Sequence, residues 1–213
     1  MNSLQKFEAA LRQVPLVAIL RGLPAHDALA IGSALNNSGW RLIEVPLNSP
    51  DPLTSIATLA SNFPQALVGA GTVLTPEDVR QVHGAGGQLI VSPNFNPAVV
   101  REAVRLGLLC LPGVMTPSEA FAALEAGASG LKLFPAEMIS PAVLRALRAV
   151  LPKSARLLPV GGITPDNMGS YLAAGANGFG IGSALYQPGM QASQVQANAQ
   201  RFMAACQLPS PAS

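Results

Sequence analysis

Eight short apolar runs recur along the chain: Leu16–Leu20, Arg41–Pro46, Ala66–Thr72, Gln88–Ser92, Leu108–Leu111, Gly130–Phe134, Arg156–Val160 and Gly178–Ile181. Their starts lie about 20–26 residues apart, a period that fits one strand, one helix and two loops. Ala-rich stretches with helical spacing, such as SEAFAALEAG and PAVLRALRAVLP, fill the intervals. Thr75-Pro76, Thr116-Pro117, Ser140-Pro141 and Thr164-Pro165 open four of these stretches. In each, a hydroxyl suited to capping precedes a proline suited to the first helical turn. Gly39, Gly127 and Gly175 close others, where glycine accepts the left-handed backbone that ends a helix.

Strands that alternate with helices pair in parallel and are buried on both faces, which the near-continuous apolar character of the runs matches. Eight such units predict a (β/α)8 TIM barrel with an extra N-terminal helix, roughly Ser3 to Arg12, over the barrel floor. The alternative is an open doubly wound sheet; even spacing with no shift in composition favours closure. One domain over residues 1–213 is expected, with 208–213 as a flexible tail.

Composition excludes several classes. The chain is 49% hydrophobic and 11% charged with a formal net charge of +2, too apolar and too weakly charged for disorder. No run of Lys or Arg tracks a phosphate backbone, and aromatics are 5%, so nucleic acid is not an expected partner. The most apolar stretch, Leu106 to Met115, is short and broken by Gly107, Pro112 and Gly113, so no membrane span is expected. The N-terminal MNSLQKFEAALRQVP carries Glu8 and Arg12 and reads as an amphipathic helix, not a signal peptide. Two cysteines, Cys110 and Cys206, make no disulfide framework, and the cytoplasm is the expected compartment.

In such a barrel the active site lies at the carboxyl ends of the strands. Three ionisable residues fall there: Arg21 after the first run, Glu44 in the second and Lys132 in the sixth. Lysine occurs three times in the chain, at Lys6, Lys132 and Lys153, and one of these sits among Leu131, Leu133 and Phe134. Burial disfavours the ammonium and yields the free amine that attacks a ketone. Glu44 is placed to pair with it and to shuttle protons. A buried ion pair without chemistry is the alternative, which the third charge at a strand end makes less attractive.

Gly161-Gly162 follow the seventh run, and Gly180-Ile181-Gly182-Ser183 end the eighth. The loops after strands seven and eight form the usual phosphate cradle of this fold, with backbone N–H groups as donors. Either motif alone reads as a tight turn; the two together predict a phosphorylated substrate. Thr72 in GAGTVLTP either bonds a substrate carboxylate or caps the turn. Ser92-Pro93-Asn94 and Pro112-Gly113 either shape the mouth, with Pro93 against the substrate, or serve as turns. His26 and His83, the two histidines, fall in predicted helices; they are expected at the surface, and no metal and no cofactor are expected. Two other functions stay open on residues alone: a phosphosugar isomerase or synthase with Glu44 as base, and a non-catalytic phosphosugar-binding barrel.

LRG (20–22), EVPLNSP (44–50), GAGTVL (69–74), SPN (92–94), PG (112–113), LKLFPAE (131–137), VGGIT (160–164) and GIGS (180–183) together resemble the 2-keto-3-deoxy-6-phosphogluconate/galactonate aldolases, from about Pro15 to Tyr186. The resemblance implies a metal-free class I aldolase, a homotrimer, with Lys132 forming the Schiff base and Glu44 as acid and base. It implies that Arg21 and Thr72 hold the pyruvyl carboxylate, that Phe134 packs beside the imine, and that Gly161, Gly162, Gly182 and Ser183 hold the phosphate. Gluconate-type members read TGG, SPG and EVTLRT where this chain has Val160-Gly161-Gly162, SPN and EVPLNS. Val160 cannot bond a C4 hydroxyl as threonine can, and a lost contact of that kind bears on which C4 epimer is used. The variants are similar to the galactonate branch. The implied reaction is reversible cleavage of 2-dehydro-3-deoxy-6-phosphogalactonate to pyruvate and glyceraldehyde 3-phosphate, with the gluconate epimer, or both epimers, as the alternative.

Overall fold

A computed structural model describes residues 3–207; the expected tail at 208–213 lies outside the described residues. Helix α1 (Ser3–Gln13) precedes strand β1 (Leu16–Ile19), and the chain then alternates: α2 (Ala28–Asn37), β2 (Leu42–Pro46), α3 (Pro52–Asn62), β3 (Leu67–Gly71), α4 (Pro76–Gly84), β4 (Leu89–Val91), α5 (Pro97–Arg105), β5 (Leu109–Leu111) and β6 (Gly113–Val114). It continues with α6 (Pro117–Glu125), β7 (Leu131–Leu133), α7 (Pro141–Val150), β8 (Leu157–Pro159), α8 (Pro165–Ala173), β9 (Phe179–Ile181) and α9 (Ala192–Gln207).

Every strand pairing is parallel. The strands form an arc of six, in the order β5-β4-β3-β2-β1-β9, and an arc of three, β6-β7-β8. A single bridge between Val160 and Gly180 joins β8 to β9. At the other junction the Ser129 amide donates to the Cys110 carbonyl at 2.9 Å. The fifth apolar run, Leu108–Leu111, forms β5, and past Pro112 the chain resumes strand structure as β6, beyond the expected run. Proline has no amide to give to the ladder, although its carbonyl still accepts from the Lys132 amide at 3.0 Å.

Alternation along each strand sorts the core into two clusters. Outward residues such as Ile43, Val45, Cys110, Leu131 and Leu133 pack with the helices. Inward residues form the second cluster. Its lower part is Leu42, Leu67, Leu89 and Leu109, against which α1 buries Phe7, Ala10 and Leu11. Val17, Val91, Leu111 and Leu158 complete it. This ordering closes one end of the curled sheet with α1 and leaves the carboxyl ends of the strands open. Arg156, just before β8, donates two hydrogen bonds of 2.9 and 2.8 Å to the Glu8 carboxylate and so pins α1 in place.

The helix-start chemistry is realised at Thr75 and Thr116. Each accepts a hydrogen bond from the amide three residues on, and Asp78 and Glu119 accept in return from the cap amides, a reciprocal cap. Gly39, Gly127 and Gly175 hold φ of 87°, 98° and 102° at helix ends. Cys110 is buried and both cysteines are free thiols. His26 and His83 are exposed; His26 belongs to a 3-10 turn, Ala25–Asp27, not to an α-helix. Among the described residues no helix is long and apolar enough to cross a membrane.

Candidate active site

The inward positions of β2 are Leu42, Glu44 and Pro46, and the inward position of β7 is Lys132. Glu44 lies in register between Ile19 and Gly69, and Lys132 between Gly113 and Leu158. Sequence proximity suggested that Leu131 and Leu133 surround the amine. Strand alternation turns both away, into the outer core, and the groups that enclose Lys132 are those of the interior: Ile19, Val91, Leu111 and Leu158. Lys132 keeps 6% of its surface exposed and Glu44 1%. Both line the same narrow pit of about 10 Å³.

Room for the Glu44 carboxyl comes from Gly71: a methyl group there would overlap the Glu44 oxygens. Glu44 Oε2 is buried and has no hydrogen-bond partner among the described residues. Burial raises the Glu44 carboxyl to about 7, against the opposing pull of Lys132 and Arg21. Burial also lowers Lys132; Glu44 opposes that shift and Arg21 adds to it. Burial thus pushes both groups toward their uncharged forms, an amine and a carboxylic acid side by side. The Lys132 Nζ stands 4.6 Å from the centroid of the Phe134 ring, a distance at which the ring face attracts the ammonium form.

Above the pit the interior widens into a cavity of about 300 Å³, within the range of small-ligand sites. Ile19, Lys132, Val160 and Gly180 line both spaces, so they are continuous. The wider part adds Arg21, Phe134, Glu137, Gly161, Gly162, Thr164, Gly182 and Ser183. Arg21 Nη1 donates to Asn48 Oδ1 at 3.0 Å, and the next amide, that of Gly22, donates to Ser49 Oγ at 2.9 Å. The loop after β2 thus holds both the side chain and the backbone of the loop after β1. Gly161 and Gly162 have φ of 112° and 60°, which bends the chain after β8 around the cavity rim in a way a side chain would resist.

Nine of the eleven residues expected in the site therefore meet around one connected space: Lys132, Glu44, Arg21, Phe134, Val160, Gly161, Gly162, Gly182 and Ser183. Thr72 and Pro93 line neither part. Thr72 follows Gly71 with φ of 57°, a conformation uncommon for a β-branched residue, and Pro93 presses its carbonyl toward Gly113. Sequence reasoning missed Glu137, Asn48 and the spacing role of Gly71. Glu137 stood inside the quoted LKLFPAE block and Asn48 inside EVPLNS; neither lies on a strand, so alternation gave no reason to single them out. No group of three or more His, Cys, Asp or Glu side chains able to hold a metal occurs among the described residues.

A buried amine, an adjoining carboxyl and a nearby guanidinium at the carboxyl ends of parallel strands define an α/β enzyme equipped for imine chemistry on a keto acid. The model of one aldolase family, KDPG and KHG aldolase, matches residues 7–201. A probable 2-dehydro-3-deoxy-6-phosphogalactonate aldolase of Rhizobium meliloti is 49% identical over 90% of this chain and 91% of its own length. The 2-dehydro-3-deoxy-6-phosphogalactonate aldolase of Escherichia coli is 43% identical over 91% of this chain and 95% of its own. A solved structure described as native KDPGal superposes with a TM-score of 0.90 at 43% identity, over 91% of this chain and 95% of that one. The chain belongs to the KDPG and KHG aldolase family.

Proposed function

We propose that this chain is a class I aldolase that reversibly cleaves 2-dehydro-3-deoxy-6-phosphogalactonate to pyruvate and glyceraldehyde 3-phosphate. The observation that carries the reading is the placement of Lys132 and Glu44 in one pit, beneath a cavity with room for a small sugar acid. The names of the two relatives support the substrate, and Val160, without a hydroxyl to offer at C4, supports the epimer.

Lys132 Nζ adds to the C2 ketone, and Glu44 donates the proton with which the C2 hydroxyl leaves as water. The resulting iminium accepts the electron pair of the C3–C4 bond. As that bond breaks, the C4 hydroxyl gives its proton to Glu44 and becomes the aldehyde of glyceraldehyde 3-phosphate. The enamine left on Lys132 takes a proton at C3 from Glu44, and water releases pyruvate and the free amine. Arg21, and by family resemblance Thr72, hold the carboxylate. Phe134, and by the same resemblance Pro93, wall the imine. Gly161, Gly162, Gly182 and Ser183 take the phosphate through backbone N–H groups and the Ser183 hydroxyl.

The reading includes a (β/α)8 barrel in which the two arcs act as one closed sheet with α1 as its floor, folded as one domain. It also includes a homotrimer and a cytoplasmic location. The bridge from Val160 to Gly180 supports closure. Sedimentation equilibrium tests the assembly: three chain masses are expected, and one chain mass refutes the trimer.

Borohydride reduction in the presence of pyruvate tests the chemistry. A pyruvyl adduct on Lys132 is expected by peptide mass spectrometry, with neither adduct nor turnover in Lys132→Ala. An adduct elsewhere, or turnover without a reducible imine, refutes it.

A further inference from the structure

Three charged side chains line the wider cavity: Arg21, Lys132 and Glu137. The third lies at the end expected to take a dianion. The Glu137 carboxyl lies against the Cα of Gly161, where an added methyl group would overlap it, and the Glu137 Cγ would stand 3.2 Å from a methyl group added at Gly162. A negative charge at a cradle of backbone amides repels phosphate and can take its place.

The backbone that carries Glu137 is fixed and its side chain is not. Glu137 sits in a short 3-10 turn, Ala136–Met138. The Ala136 amide donates to the Val160 carbonyl at 2.9 Å, and the buried Tyr171 hydroxyl donates to the Ala136 carbonyl at 3.1 Å. The Glu137 side chain is exposed at the cavity rim, and no hydrogen bond or ion pair is found to hold its carboxylate among the described residues. It can therefore rest at the cradle or swing away without breaking other contacts.

We propose that Glu137 is a specificity-determining residue that stands against the phosphate cradle as a fixed-sign charge at its rim in the free enzyme and must move aside when a phosphorylated ligand binds. The inference rests on the reading of Gly161, Gly162, Gly182 and Ser183 as the phosphate site. Displacing Glu137 weakens every phosphorylated ligand by the fraction of time the cradle is blocked. A full substrate has its carboxylate and the Lys132 imine to offset that cost; inorganic phosphate has neither. Glu137 thus guards the site against free phosphate and keeps glyceraldehyde 3-phosphate from lingering after cleavage.

The test is competitive inhibition of cleavage by inorganic phosphate in the wild-type enzyme, Glu137→Gln and Glu137→Ala. Glutamine keeps the shape and removes the charge; alanine removes both. Surface substitutions of this kind rarely disturb folding, and pyruvate trapping on Lys132 reports an intact pit. The phosphate Ki is expected to fall by about 3–10-fold in both variants, the scale of one like charge a few ångströms away in a wet site. A Ki that is unchanged, or that rises because Glu137 helps to build the cradle, overturns the inference while leaving the phosphate site standing. Competition by phosphate in none of the three proteins, with trapping intact, overturns the cradle assignment as well.

Discussion

The Glu44 carboxyl occupies the space that a side chain at Gly71 would fill. The two residues come from neighbouring strands, β2 and β3, and both point inward. One strand supplies the acid and the next supplies a hole for it. This aims a carboxyl at the lysine side of the interior without crowding, in a pit whose other walls, besides Lys132 and Gly180, are Val, Ile and Leu.

Gly71→Ala is therefore expected to act on chemistry more than on folding. Gly71 is not among the glycines with positive φ, so the backbone accepts alanine, but the added methyl forces Glu44 to turn. A displacement of about 1 Å at a reacting group costs on the order of 10²-fold in rate. Steady-state kcat is the measurement, with circular dichroism to confirm the fold. Near-normal turnover would show that the orientation of Glu44 is not critical.

Glu44 is also expected to govern the pH dependence. Its carboxyl is raised to about 7, chiefly by burial. If the carboxylate takes the C4 hydroxyl proton, cleavage rises as pH passes upward through about 7. Glu44→Gln should lose that limb and slow the reaction by roughly 10²–10⁴-fold. Stability should run the other way. Below about 4.5 Glu44 is protonated whether the chain is folded or not, and its contribution is fully present. Between the ordinary carboxyl value of 4.5 and about 7 the folded chain holds a proton that the unfolded chain has released, so stability falls as pH rises, by at most roughly 1.4 kcal/mol per pH unit from this group. Denaturant melts at pH 5, 6, 7 and 8 should show a flatter dependence in Glu44→Gln; equal slopes would place the Glu44 carboxyl in its ordinary range.

Asn48 accepts from Arg21 without neutralising it, which leaves the guanidinium charge for a substrate carboxylate. Asn48→Ala frees the side chain and should raise the KM for the keto acid by about 3–10-fold, the scale of one ordinary net hydrogen bond. Asn48→Asp keeps the acceptor but places a competing charge on Arg21, and should weaken the keto acid at least as much. A KM unchanged in both variants would remove Arg21 from the carboxylate site.

The eight-unit period, the capped helix starts and the lysine in the sixth apolar run were legible because each follows from a local rule along the chain. Lys132 and Glu44 stand out where a strand pattern demands apolar residues, and the fold brings both inward as that pattern requires. Other features depend on contacts the linear sequence does not show. Pro112 reads as a turn after the fifth strand, whereas it is a break within a longer one that only the pairing with β7 reveals. In the sequence Gly71 has no role within the third apolar run, whereas the structure shows it is required by a side chain some 27 residues away. Glu137 and Asn48 lie in loops with no periodicity, and only their contacts with the adjoining loops, at Gly161 and at Arg21, give them a role.

Val160 ends the seventh strand–loop unit, 8% exposed, and lines both the pit and the wider cavity. Its methyls pack toward the bare Cα of Gly180: a Cβ added there would lie 2.7 Å from Val160 Cγ2. Threonine is nearly isosteric with valine, so Val160→Thr fits the space but adds a hydroxyl where none had a partner. A buried hydroxyl left unpaired costs about 1–3 kcal/mol, and the C4 hydroxyl of one substrate epimer can relieve that cost while the other cannot. The ratio of kcat/KM for the gluconate epimer over the galactonate epimer is therefore expected to rise by about 10-fold or more. The ratio is the informative quantity, because a general loss of packing lowers both specificity constants together and leaves it unchanged. Measuring pyruvate release from each epimer in both proteins decides the matter: a constant ratio would move epimer selection away from position 160.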